Sequence, residues 1–140
     1  MKPTTMIAAA VLLAGMAAPA AAQMANPTVK IGVLSDMSSL YADIGGAGSV
    51  VAAKMAVADF GGTVNGEKIE VVSADHQNKP DVGAGIARRW YDQDGVDVIV
   101  DVPTSSVALA VQDVAREKGK VFLISGAGSS DLTGKACSPT

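Results

Sequence analysis

Residues 96–124 read VDVIVDVPTSSVALAVQDVAREKGKVFLI, and the fold is read outward from them. Val96 to Val102 is an apolar run interrupted only by Asp97 and Asp101, which predicts a short buried strand. Thr104, Ser105 and Ser106 then offer N-cap hydroxyls to a helix carrying Val107, Val111 and Val114, which Gly119 ends. Val121 to Ile124 is a second apolar run, short enough for a strand. A strand, a helix and a strand within these 29 residues make a βαβ unit, and that unit requires parallel pairing.

The same alternation extends upstream. Val29 to Leu34 predicts a buried strand, and Ser35 to Gly48, rich in Ser, Asp and Gly, predicts a long loop. From Ser49 to Phe60, the residues Val50, Ala53, Val57 and Phe60 share one helical face, and Gly61-Gly62 ends it. Asn65-Gly66 is a hairpin-type turn signal between Thr63-Val64 and Lys68 to Ser73. Pro80 opens a further helix in which Val82, Ile86 and Trp90 fall on one face. The predicted order β-α-β-α-β-α-β gives an α/β fold, a parallel sheet with helices on both faces.

The N-terminus has another character. Lys2 precedes an apolar run from Met6 to Ala18, and Pro19 and Ala20-Ala21-Ala22 follow it. That order predicts a signal peptide over residues 1–22, cleaved between Ala22 and Gln23, and hence export to the periplasm. The run is shorter than the roughly 20 apolar residues a membrane span needs. The mature part, 23–140, has the length of one small domain.

Composition excludes some function classes. Eleven Lys and Arg against fourteen Asp and Glu leave a net charge of −3, with the basic residues scattered, so no nucleic-acid footprint is expected. Cys137, the single cysteine, cannot form a disulfide within these residues, and it stands near an end of loop-like composition that suggests a fragment.

Ligands of open α/β sheets bind beyond the carboxyl ends of the strands. The polar residues of this chain concentrate there: Ser35, Asp36, Ser38, Ser39, Tyr41 and Asp43 after the first strand; Asp75 to Asn78 after the second; Thr104 to Ser106 after the third; and Ser125 to Ser130 after the fourth. Hydroxyls beside free helix N–H groups suit a carboxylate, although Ser and Thr also serve simply as caps.

Catalytic sets are missing. Gly46-Ala47-Gly48 lies too far from its strand for a dinucleotide loop, and Val51 stands where the third glycine would be. No P-loop and no G-x-S-x-G setting occurs. His76, the only histidine, reads as a solvated or loop-fixing residue, Asp97 and Asp101 as strand ends or edges, and Trp90 and Tyr91 as core or helix surface. No catalytic residue, cofactor or metal is expected.

From Lys30 onward the chain resembles the leucine/isoleucine/valine-type binding proteins of bacterial ABC importers. The resemblance rests on Lys30-Ile31-Gly32-Val33-Leu34 with Met37-Ser38 and Gly45, on Ala53 to Phe60, on Asp75-His76-Gln77-Asn78 with Pro80, on Val98 to Ser106, and on Ser125 to Thr133. It implies a type I periplasmic binding protein-like fold in which 23–140 form the first of two hinged lobes, the second lobe being missing. It further implies that Ser105, with Ser106, the backbone of Ala127 and the hydroxyl of Ser129 grip a ligand carboxylate, with Tyr41 walling the pocket. Ser129 stands where the amino-acid binders usually carry Thr, which leaves the ligand class open among amino acids, aromatic acids and related amides. The implied partners are that small solute and an ABC permease in the inner membrane, and the full-length protein is expected to be a monomer. A ligand-sensing domain of a receptor or regulator uses the same fold and is the alternative; an exported α/β enzyme is a third reading. A first lobe alone is expected to expose apolar surface and to bind weakly.

Overall fold

The computed structural model describes residues 28–140. The expected signal peptide therefore lies outside the described residues. The elements run β1 (Thr28–Ser35), α1 (Gly46–Phe60), β2 (Thr63–Val64), β3 (Glu67–Asp75), α2 (Pro80–Asp92), β4 (Val98–Asp101), α3 (Ser105–Lys118) and β5 (Val121–Ile124), followed by a single 3₁₀ turn at Ser130–Leu132.

The strands form one sheet in the order β2-β3-β1-β4-β5. β1 pairs in parallel with β3 and with β4, and β4 pairs in parallel with β5. Only β2 is antiparallel, joined to β3 through Asn65 and Gly66, whose φ values of 51° and 84° form the hairpin turn read from the sequence. The chain first leaves β1 toward β3 and later returns to its other side as β4, so the strand order reverses at β1. Ligands of such sheets sit at that reversal, beyond the carboxyl ends.

Alternation along the strands decides what each face covers. Leu34, Ile99 and Phe122 point to the face covered by α2 and α3 and share a core with Trp90, Val107, Val111 and Val114. Backbone and ring approach closely there: a Cβ on Gly32 would lie 2.5 Å from the Trp90 ring. Tyr91 ties α2 to β5 through a 3.0 Å bond from its hydroxyl to the carbonyl of Val121. Ile31, Val100 and Leu123 point the other way, toward α1. Helices thus cover both faces, as the sequence predicts.

β1 and β3 run one or two residues beyond expectation at their ends, and the starts of β4 and α1 differ for visible reasons. β4 begins at Val98 because Val96 and Asp97 are held otherwise: the Val96 N–H donates to the Trp90 carbonyl, and Asp97 exchanges bonds with the Lys30 backbone. α1 begins at Gly46, three residues before Ser49, with the carbonyl of Gly45 accepting from the Ser49 N–H.

Candidate functional site

The loops at the carboxyl edge are bound to one another. Asp36, fully buried, accepts from the Ser39 N–H at 3.0 Å, the Ser39 hydroxyl at 2.6 Å and the Tyr41 N–H at 2.9 Å, which fixes where Tyr41 leaves the loop. Asp75 accepts from the Met37 N–H at 3.0 Å and the Gln77 N–H at 2.7 Å, joining the loops after β1 and β3. Burial works to raise both carboxyls, but the hydroxyl and N–H donors around them hold both below the ordinary value.

His76 corrects the expectation of a solvated residue. It is fully buried, its N–H donates to the Ser35 carbonyl, and its Nδ1 accepts from the Asn78 N–H at 3.0 Å. Loop fixing is the half of that reading that holds. Burial pushes its pKa down, against the opposing charges of Asp36, Asp75 and Asp101.

An open cleft of about 400 Å³ lies at the strand-order reversal. Tyr41 and Gly45 from the loop after β1, and Ser49 from α1, make one wall. Asp101 and Pro103 from the end of β4, with Ser125 and Gly126 after β5, make the other. The second wall is one unit, since the Ser125 hydroxyl donates to Asp101 Oδ1 at 2.9 Å and Gly126 packs on Pro103, where a Cβ would come within 3.2 Å of the proline Cα.

Of the residues expected at the site, Tyr41 lines this cleft. Ser105 and Ser106 open α3 directly after the β4 loop, Ser105 half-buried and Ser106 exposed. Ala127 and Ser129 follow β5 on the neighbouring loop, both half-buried. All five stand on the same edge of the sheet, but Pro103, Ser125 and Gly126, not Ser105, Ser106, Ala127 or Ser129, form the wall contributed by those two loops. Thr104 occupies the N-cap of α3 yet makes no capping bond with its side chain, and its buried hydroxyl has no partner. The first N–H groups of α3 consequently remain available as donors. Ser129 instead caps the 3₁₀ turn, accepting from the Asp131 N–H at 3.2 Å; that bond uses a lone pair and leaves the hydroxyl proton to donate.

Sequence reasoning missed Asp101, which it assigned to a strand end. The residue is 8% exposed, it adopts a φ of 84°, and Val102 after it has a φ of 55°. An acid at the carboxyl end of a parallel strand was the available signal. Among the described residues no group of three or more His, Cys, Asp or Glu is arranged to hold a metal, and no helix is long and apolar enough to cross a membrane.

Residues 28–140 match a family described as periplasmic binding protein. Among solved structures, a periplasmic binding protein from Burkholderia mallei is 54% identical over 81% of this chain and 30% of its own, with a TM-score of 0.78. A branched chain amino acid ABC transporter periplasmic ligand-binding protein from Burkholderia xenovorans is 47% identical over 78% of this chain and 29% of its own, with a TM-score of 0.75. A solute binding protein of an ABC transporter from Rhodopseudomonas palustris, in complex with 3,4-dihydroxy benzoic acid, is 29% identical over 77% of this chain and 30% of its own, with a TM-score of 0.70. This chain therefore spans about 30% of the length of those proteins. No curated protein matches it.

Proposed function

The chain belongs to the periplasmic binding protein family, and on that premise we propose that it forms one wall of the solute site of an ABC importer's periplasmic receptor. The solute is a small carboxylate, an amino acid or an aromatic acid, delivered to a membrane permease without bond chemistry. Solved structures similar to this chain include binding proteins of both kinds, one named for branched chain amino acids and one holding a dihydroxybenzoic acid.

One observation carries the reading: the uncapped N-terminus of α3, with Ser105 and Ser106 on its first turn, beside an open cleft at the strand-order reversal. Free N–H groups and the helix dipole both favour an anion there. In this reading Ser105, Ser106, the backbone of Ala127 and the hydroxyl of Ser129 hold the carboxylate, and Tyr41 closes the side of the pocket. Binding shifts an open–closed equilibrium by making more contacts in the closed form.

A thermal-shift screen of the intact protein against amino acids and aromatic acids, followed by titration calorimetry of the hits, tests it. The expected result is stabilisation by a subset of carboxylates, with Ser105→Ala weakening the best of them about tenfold or more, as loss of a hydrogen bond to a charged group implies. Indifference to every carboxylate would sink the reading.

A further inference from the structure

The chain turns from β4 toward α3 through two consecutive non-glycine residues at positive φ, Asp101 at 84° and Val102 at 55°. Glycine adopts that conformation without steric cost, and a β-branched residue is poorly suited to it. Strain of this kind persists only where the surroundings impose it. Here the fully buried Val102 donates its N–H to the Leu34 carbonyl at 3.0 Å, which ties the bend to β1.

Asp101 makes the tie on the other side, toward β5. Its carbonyl accepts from the Ser125 N–H at 3.3 Å, and its Oδ1 accepts from the Ser125 hydroxyl at 2.9 Å. A glycine at this position would keep the first bond, relax the backbone and lose the second. The carboxylate is thus the part that the bend does not need, and it carries a cost of its own. Its Oδ2 is buried, with no hydrogen-bond partner among the described residues. That oxygen is out of reach of a solute, so the side chain acts through Ser125 rather than by touching what fills the cleft.

Ser125 begins a loop that has little else to direct it. Gly126 and Gly128 flank Ala127 and have no side chains with which to aim its N–H. The Ala127 methyl packs on the core, and Ser129 holds the far end by capping the 3₁₀ turn. The near end depends on Asp101. The same residue, through Val102, Pro103 and Thr104, leads directly into α3. It therefore stands at the root of both arms that reach the cleft, the start of α3 on one side and the loop after β5 on the other.

We infer that Asp101 is a positioning residue of the solute site: its carboxylate, through Ser125, fixes the loop after β5 against the start of α3, so that Ala127 and Ser129 meet the same solute group as Ser105 and Ser106. The inference rests on the proposed solute-binding role and adds to it the residue that sets the spacing of the two arms.

Titration calorimetry of the intact protein with L-isoleucine, L-phenylalanine, benzoate and 3,4-dihydroxybenzoate, beside urea denaturation of each variant, tests it. Asp101→Gly should weaken the best-bound probe about tenfold or more, as loss of a hydrogen bond to a charged group implies. Its urea midpoint should stay equal or rise, because glycine relaxes the bend. A merely structural residue would lower affinity and midpoint together. Asp101→Asn keeps an oxygen for the Ser125 hydroxyl and tolerates positive φ, so it should recover most of the affinity. Ser125→Ala should match the glycine variant, and the double substitution should lose no more than either single one. Native affinity, a lower midpoint or failure to fold in Asp101→Gly would overturn the positioning role while leaving solute binding intact. So would the absence of recovery in Asp101→Asn, or losses that add in the double variant. Failure of the native protein to bind any of the probes would overturn it together with the solute-binding role beneath it.

Discussion

The two faces of the sheet are built from similar residues and end up in different states. Against α2 and α3, Val107, Val111 and Val114 are fully buried and Trp90 is 3% exposed. Against α1, Met55 is 61% exposed and Phe60 66%, and an apolar groove of about 340 Å³ separates Ala53, Ala56 and Phe60 from Ile31, Ile69 and Val100. β5 shows the contrast within four residues: Phe122 is buried, while Val121 and Leu123, its neighbours on the other face, are about half exposed or more. Apolar character therefore says which residues can be buried, and how closely the helices on each face cover it, two on one side and one on the other, decides which of them are.

Substitutions can break or sharpen this contrast. Trp90→Ala should have the largest effect, a loss of about 3–5 kcal/mol in urea denaturation, because it removes the central ring of the closed face. A loss near zero would mean that this face is not the core. Gly83→Ala comes next. Its Cβ would meet Val107 Cγ1 across the α2–α3 contact, and overpacking of that kind costs about 1–3 kcal/mol.

The third prediction concerns acid. His76 sits below its ordinary value of 6.5, so the folded chain binds fewer protons than the unfolded one just below that pH. Its contribution to stability is complete above about pH 6.5 and is lost as pH falls through the lowered folded value. Asp36 and Asp75, lowered from 3.8, extend the loss into the carboxylate range. Denaturation at a series of pH values should show the first decline in the native protein and not in His76→Gln; identical profiles would refute the role of burial. The smallest effects belong to the α1 face, where Met55→Ser and Phe60→Ser should each change stability by no more than about 0.5 kcal/mol. A cost above about 1.5 kcal/mol would show that this face is covered in solution.

The order of elements was legible because each depends on neighbours in sequence. Asn65-Gly66 specifies its turn, Pro80 its helix start and Gly119 its helix end, all by local conformational preference. β5 was read at its observed limits because Lys120 and Ser125 bound a purely apolar run. The site was less legible. Tyr41 reaches the cleft because Asp36 bonds its N–H, a short-range effect that the polar loop made visible. Asp101 escaped notice because its left-handed backbone and its bond to Ser125 are imposed by β1 and β5, residues distant in sequence. His76 was misjudged in part for the same reason: α2 packs against it, so that a Cβ on Gly83 would lie 3.6 Å from the His76 Cβ, and no local pattern records that approach.

The Asn65-Gly66 hairpin has a practical consequence. β3 runs nine residues from that turn to Asp75, so roughly 26 Å separates the turn from the polar rim. With the free, exposed Cys137 replaced by Ser, a cysteine introduced at Asn65 would carry a fluorophore or a surface tether at the far end of the sheet. An immobilised sensor made in this way would present its cleft to the bulk solution unobstructed.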